Sequence, residues 1–359
     1  MTNTAGLLNI PLAAEPLTRK DFASDQEVRW CPGCGDYSIL STFQSMLPEL
    51  GIARENVVVV SGIGCSSRFP YYVNTYGMHA IHGRAATIAT GLAISRPDLK
   101  VFVVMGDGDA MAIGGNHLIH ALRRNVNLTM LMFNNRIYGL TKGQYSPTSE
   151  VGKVSKSSPY GSLDMPFNPV SLAIGAGATF VARSIDTERA HLAETLKSAA
   201  RHRGSSFVEI YQNCEIFNDG AWDDLKKGGK GTLLYLRDGQ PIQTADGRIG
   251  VIRQADGTLD VAEVATAADP GSIAHYRVKP DNVVIHNTHR TDPTFAFAVS
   301  RLTDAGVIHQ APIGIFRQVT KPVYDDQVRD QVRMARGESG MVTDDAIQAV
   351  LDGSAPWVV

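Results

Sequence analysis

Between about residue 55 and residue 213, short apolar runs alternate with stretches whose apolar positions recur at helical spacing. The runs NVVVVSG, KVFVVMGD, NLTMLMFNN, ATFVARS and SFVEIYQN are the predicted strands, and Gly115 to Asn125 and Thr187 to Arg203 carry helical spacing between strands. A strand that is apolar on both faces has no side to turn towards water. Such runs, alternating with helices, predict an α/β fold: a doubly wound, mainly parallel sheet covered on both faces. After a glycine- and lysine-rich linker, KKGGKG near residue 227, the pattern changes. Short alternating runs separated by RDGQ, ADGR and ADGT predict a small β-meander. Beyond it DPTFAFAVSRL reads as a helix, and a polar, charged segment closes the chain. The expected organisation is an N-terminal arm (1–24), a main domain (25–225) and a smaller α+β extension (226–359).

The 359 residues carry a net charge of −2, are 43% hydrophobic and include 34 glycines, as in ordinary globular proteins. No basic surplus points to nucleic acid or another polyanion. MTNTAGLLNIPLAAEPLTRKDF has neither a basic n-region nor a sustained apolar core, and no stretch approaches the roughly 20 apolar residues of a membrane span. The expectation is a cytoplasmic protein with no membrane partner. Thiols stay reduced there, so the four cysteines, Cys31, Cys34, Cys65 and Cys214, argue for a metal or for catalysis rather than for disulfides.

Placing the motifs on the strands brings the chemistry together. NVVVVSGIGC ends at Cys65, KVFVVMGD at Asp107, NLTMLMFNN at Asn134 and Asn135, and SFVEIYQNC at Cys214. All sit at or just past the carboxyl end of a strand, where open α/β sheets bind their ligands. In GDGDA, glycines permit close approach to an anion, and a helix beginning near Asn116 or slightly earlier can direct N–H groups at a phosphate. Asp107 and an Asn side-chain oxygen are hard donors that suit Mg2+ bound to a diphosphate. The plainer alternative is a strand-to-helix turn with a capping Asp and an ordinary Asn turn. The paired asparagines at the next strand end favour the metal reading. The pairs His79/His82 and His117/His120 have i, i+3 spacing, yet packed or hydrogen-bonded histidines are the commoner case. Arg68, Lys142 and Arg136 are candidate contacts for phosphate or carboxylate groups, against the plainer reading of solvated charges.

GDG followed by NN resembles the diphosphate-binding signature of thiamine diphosphate enzymes. The fuller set CPGCGD, SGIGCSSRFPYY, HAIHGRA, GDGDAMAIGGNHLIHALRRN and NNRIYGLTKGQYSPTS resembles the β subunit of 2-oxoacid:ferredoxin oxidoreductases, most of all the 2-oxoglutarate type. The resemblance is dense from about residue 20 to 225. It implies the thiamine diphosphate-binding fold, with Asp107, the side chain of Asn135 and the backbone carbonyl of Ile137 as Mg2+ ligands. Gly108, Asp109, Gly139 and Leu140 would line the diphosphate. Ile63, Gly64, Cys65 and Ser66 would pass the thiazolium end, and His82, in the HGR that ends at Arg84, would touch the cofactor. The four cysteines match the thiolates of one [4Fe-4S] cluster. Cys65 and Cys214 are single positions rather than a second Cys-x-x-Cys knuckle, which also favours iron–sulfur over structural zinc.

Thiamine chemistry further requires a carboxylate against the aminopyrimidine ring. Between Glu55 and Glu150 there is no glutamate, and no second α/β unit of comparable size follows residue 214. The resemblance therefore implies that no catalytic side chain lies on this chain. An α subunit would bring the activating Glu and most 2-oxoacid and coenzyme A contacts, in an α2β2 heterotetramer. Lacking the bacterial ferredoxin run C-x-x-C-x-x-C-x-x-x-C-P, the chain would pass electrons to an external ferredoxin. The implied reaction converts 2-oxoglutarate, coenzyme A and oxidised ferredoxin to succinyl-CoA, CO2 and reduced ferredoxin. The alternatives are specificity for pyruvate or another 2-oxoacid, a non-redox thiamine diphosphate decarboxylase or carboligase, and a zinc-stabilised interaction subunit. The extension is expected to pack against the partner or to cover the cluster.

Overall fold

The computed structural model describes residues 5–226, 232–265, 278–303, 309–336 and 343–353. Most of the KKGGKG linker lies outside the described residues. The first half of the main domain contains α1 (Asp36–Met46), β1 (Val57–Ser61), α2 (Phe69–Tyr72), β2 (Tyr76–His79), α3 (Ala85–Ser95), β3 (Lys100–Gly106), α4 (Asp107–Met111), α5 (Gly115–Arg124) and β4 (Thr129–Asn134). A two-stranded ribbon follows, β5 (Ile137–Tyr138) with β6 (Gln144–Tyr145), and then α6 (Pro169–Gly175), β7 (Phe180–Ile185), α7 (Arg189–Arg201) and β8 (Ser206–Tyr211). The extension adds β9 (Thr232–Leu236), β10 (Ile249–Arg253), β11 (Leu259–Glu263), α8 (Thr294–Ser300), β12 (Gln310–Gln318), α9 (Tyr324–Arg336) and α10 (Asp344–Asp352).

Eight strands form one sheet in the order β2-β1-β3-β4-β8-β7-β12-β9, and every neighbouring pair is parallel except β12 with β7. Each continuous apolar run serves both faces. Val58, Val60, Val101, Val103, Met130 and Met132 join the core that also takes residues of α3, α5, α6 and α8. Their neighbours Val57, Val59, Phe102, Val104, Leu131 and Phe133 join the core beneath α1 and α7. Every valine of β1 is buried, and full burial of one such side chain contributes roughly 1.5–3 kcal/mol. The expected doubly wound, mainly parallel sheet is what forms. Chain order reverses at β1, whose neighbours are β2 on one side and β3 on the other. That is the switch point at which such sheets open a crevice.

The helix expected to begin near Asn116 or slightly earlier is α5, from Gly115, and a short α4 precedes it, beginning at Asp107 itself. The turn-rich region is only partly a free meander: β10 and β11 pair as a hairpin, but β9 joins the main sheet beside β12. β12, in the segment QAPIGIFRQ, was not anticipated because Pro312 and Gly314 interrupt its apolar run. Gly314 has φ +123°, and a Cβ there would overlap the backbone of Leu236. The extension thus completes the sheet, and the residues that line the cysteine cavity come from the main domain. Among the described residues no helix is long and apolar enough to cross a membrane.

Candidate functional site

The four thiols are free and line a single cavity of about 260 Å³ at the carboxyl edge of the sheet, together with Asp36, Asn135, Gly139 and Gln212. Local geometry explains how they meet. In CPGCGD the Cys34 N–H donates to the Cys31 carbonyl (3.1 Å), closing a turn whose Gly33 has φ +80°. The next amide, Gly35 N–H, donates to Asn213 beside Cys214 (3.1 Å). After β1 the chain turns through Gly64, at φ +125°, a conformation that favours glycine, and delivers Cys65. The indole N–H of Trp30 fixes the Cys65 carbonyl at 2.7 Å.

Burial pushes the Cys65 thiol up to about 12, with the carboxylate of Asp36 adding to it, and raises Cys34 and Cys214 as well. At Cys214 the N–H groups of Phe217, Ile216 and Asn218 oppose that rise and favour a thiolate. Neutral thiols packed this way need a cation to become thiolates, because the metal displaces the proton. The four thiols share the lining of one cavity, and among the described residues no group of three His, Cys, Asp or Glu side chains is placed to hold a metal ion.

Asp107, 2% exposed, is the first residue of α4. Its Oδ2 accepts from Ser146 Oγ (2.5 Å) and Thr148 Oγ1 (2.6 Å), and burial raises the carboxyl to about 6. Among the described residues no Lys, Arg or His forms an ion pair with it, and burial is the largest influence on its carboxyl. Buried carboxylates are ordinarily hydrogen-bonded, paired or bound to metal, and here the partners present are the two hydroxyls. The NN doublet forms two overlapping Asx-turns. Asn134 Oδ1 accepts the Arg136 N–H and Asn135 Oδ1 accepts the Ile137 N–H, both at 3.1 Å, around an Arg136 held at φ +59°. Asp107, the Asn135 amide and the Ile137 carbonyl are all oxygen donors, the class that Mg2+ prefers.

β5 links this corner to the thiols. Tyr138 lies against Gly108, its hydroxyl donating to the Gly108 carbonyl (3.1 Å), and any Cβ on Gly108 would overlap the ring. At the next residue, a Cβ on Gly139 would lie 3.4 Å from Cys214 Sγ and 3.7 Å from Cys65 Sγ. The GDG turn and the thiols are therefore neighbours of two consecutive residues.

Other expected positions fall as follows. Ile63, Gly64, Cys65 and Ser66 occupy the loop after β1, and Leu140 lines the cysteine cavity. The Asp109 carboxylate accepts the Gly83 N–H (2.7 Å), touches His82 Nδ1 (2.7 Å) and leaves no room for a Cβ on Gly62, so it ties the loop after β1 to the HGR loop. Asn135 lines the cysteine cavity and donates to Gln212 (2.9 Å), whereas it is Asn134 that connects to Asp107, through Thr148. His82 stands edge-on to Tyr138; His79 bonds Ser61 from β2; His117 and His120 lie on α5. Arg68 and Lys142 line the cysteine cavity, while Arg136 is buried over the Trp222 ring beside Thr148 and Glu150. Sequence reasoning missed Ser146, Thr148, Tyr138, Gln212 and Asp36. The polar cluster SPTS and the Asp that closes CPGCGD were the available signals.

Residues 62–210 match the family model described as the thiamine pyrophosphate enzyme C-terminal TPP binding domain. Over 361 aligned positions, covering 100% of this chain and 92% of the relative, the chain is 56% identical to 2-oxoglutarate oxidoreductase subunit KorB of Mycobacterium tuberculosis. It is 48% identical to the β subunit of 2-oxoacid:ferredoxin oxidoreductase 1 of Aeropyrum pernix, over 53% of this chain and 60% of that one. A solved structure of the 2-oxoglutarate:ferredoxin oxidoreductase from Magnetococcus marinus, with 2-oxoglutarate, coenzyme A and succinyl-CoA bound, superposes with a TM-score of 0.72 at 31% identity. The match covers 96% of this chain and 99% of that one.

Proposed function

The chain belongs to the β subunits of the 2-oxoacid:ferredoxin oxidoreductases, and from that premise we propose that it carries the cofactor half of a 2-oxoglutarate-specific enzyme. With an α subunit it converts 2-oxoglutarate and coenzyme A to succinyl-CoA and CO2, delivering two electrons one at a time to external ferredoxin in the cytoplasm. The observation that carries this reading is the adjacency of the GDG turn and the four thiols across Tyr138 and Gly139.

Thiamine diphosphate, when bound, supplies the electron sink that lets a 2-oxoacid lose CO2. Asp107, Asn135 and the Ile137 carbonyl hold its Mg2+, and Gly108 and Gly139 give the diphosphate backbone to approach. Cys31, Cys34, Cys65 and Cys214 hold a [4Fe-4S] cluster. The buried Asp107, with no ion-pair partner among the described residues, and the N–H groups aimed at Cys214 support those assignments. Asp109 clamps Gly62 and Gly83, so the loop after β1 and the HGR loop keep a fixed approach to the cofactor. Arg68 and Lys142 line the same cavity as the four thiols, where their positive charge would offset the negative charge of a thiolate-bound cluster. The missing glutamate comes from the α subunit, in an α2β2 assembly.

The test is anaerobic coproduction with the α subunit, followed by a 2-oxoacid screen with coenzyme A and a one-electron acceptor. Acceptor reduction is expected to be fastest with 2-oxoglutarate and absent for this chain alone. If no 2-oxoacid reduces the acceptor, the reading fails.

A further inference from the structure

We propose that a buried ion pair outside the cofactor site, Arg183–Glu209, sets the orientation of the turn that presents Asn135 and the Ile137 carbonyl. Through that pair the C-terminal extension becomes a support for Mg2+ binding. The inference rests on the functional reading above. Arg183 on β7 and Glu209 on β8 are each no more than 1% exposed, and Arg183 Nε donates to Glu209 Oε2 at 2.6 Å. The other carboxylate oxygen, Oε1, accepts from Asn134 Nδ2 at 2.7 Å. A carboxylate facing an amide side chain fixes which end of the amide it sees, because only the NH2 can donate. Asn134 is thereby forced to turn its oxygen towards the Arg136 N–H (3.1 Å) and towards Thr148 Oγ1 (2.9 Å). The first contact holds the left-handed Arg136 turn. The second shares the Thr148 hydroxyl with Asp107 Oδ2 at 2.6 Å, one proton between two acceptors.

The far end of the chain of contacts lies in the extension. Arg183 Nη1 donates to Thr303 Oγ1 (2.8 Å) and to the Pro312 carbonyl of β12 (3.4 Å). Its guanidinium lies over the rings of Tyr211 and Phe316, at 5.1 and 5.4 Å from their centroids. A hydrophobic pair would fill the same space at no loss of stability, since buried ion pairs return little net stabilisation once desolvation is counted. What a hydrophobic pair cannot supply is an acceptor that dictates the Asn134 orientation. We therefore assign Glu209 as a positioning residue for the Mg2+ corner, and Arg183, held by Thr303, Pro312 and Phe316, as the group that fixes Glu209.

Two charge-neutral double variants of the assembled enzyme separate the acceptor from the ion pair. Arg183→Met with Glu209→Gln keeps an acceptor for Asn134; Arg183→Met with Glu209→Met removes it. The readout is the Kd of Mg2+ at saturating thiamine diphosphate, with iron content and Tm measured alongside. The pair lacking the acceptor is expected to bind Mg2+ at least ~10-fold more weakly than the pair that keeps it, at similar Tm and equal iron. Equal Mg2+ affinities overturn the inference. Should the second pair fail to assemble, Thr303→Val carries the test, with an expected Mg2+ Kd raised roughly threefold and iron unchanged; an unchanged Kd overturns the inference. The unaltered complex is the control. If it binds no thiamine diphosphate with Mg2+, the functional reading fails and takes the inference with it; if it does and the variants bind alike, only the positioning role fails.

Discussion

At the amino end of the sheet, Asn125, Thr179, His202 and Ser205 are buried and satisfy one another. Thr179 Oγ1 donates to Asn125 Oδ1 (2.6 Å) and lies 2.8 Å from His202 Nε2; the Ser205 N–H reaches the same Asn125 oxygen, and Asn125 Nδ2 donates to the Pro322 carbonyl. At the carboxyl end, burial is as deep but the bonding is left open. Asp36, beside the Cys34 thiol, has neither carboxyl oxygen in a well-formed hydrogen bond and is raised by burial to about 7. Asp107 has hydroxyl partners and, among the described residues, no ion-pair partner, and four thiols face a cavity. Buried polar groups cost free energy unless they are paired. Where the chain supplies the partner the group is structural, and at the carboxyl end the proposed cofactors would supply it. Lys100 at the amino end is the exception. Burial pushes its ammonium down to about 7, which makes the neutral amine accessible without a counter-ion.

The contrast can be broken first at the thiols. Replacing Cys65 with Ser is expected to abolish ferredoxin reduction and strip the cluster iron, while Mg2+-dependent thiamine diphosphate binding survives. Iron quantification beside a binding titration reads both, and full ferredoxin reduction by the variant would dissolve the assignment. Next in size, Asp107→Ala is expected to weaken Mg2+-dependent thiamine diphosphate binding by roughly 100-fold, in line with loss of a metal ligand, with iron content intact. The smallest effect belongs to the amino end. Burial holds His202 down to about 4, from an ordinary value of 6.5, so the folded state keeps it neutral. Unfolded chains bind that proton below about pH 6.5; the stabilisation is complete above 6.5 and is lost as pH falls towards 4. His202→Gln, which can still pair with Thr179, is expected to flatten that part of the Tm-against-pH curve by several degrees and to leave cofactor binding unchanged. A variant curve parallel to that of the parent would show that His202 is not the titrating group.

The carboxyl-end site was legible because it is built from strand ends. Five apolar runs mark where β1, β3, β4, β7 and β8 stop, and the sheet's topology then gathers Cys65, Asp107, Asn134 and Cys214 without further information. Side-chain direction was not legible. Asp109 turns into the Gly62 and Gly83 loops, and Asn134 and Asn135 divide the work of shaping the turn and facing the cavity. Both outcomes depend on contacts between residues distant in sequence. The extension was misjudged for a similar reason. Pro312 and Gly314 break the apolar period of β12, and only the paired strands and the buried Arg183 reveal why those residues are tolerated.

The proposed electron path, from thiamine diphosphate to the thiols, is tested most directly by following the iron–sulfur absorbance of the anaerobic α–β complex as 2-oxoglutarate is added, with and without thiamine diphosphate and Mg2+. The expected result is about four iron atoms per β chain and bleaching of the cluster only when thiamine diphosphate, Mg2+ and the 2-oxoacid are all present. Zinc in place of iron, or a cluster that no 2-oxoacid reduces in the complete mixture, would contradict it.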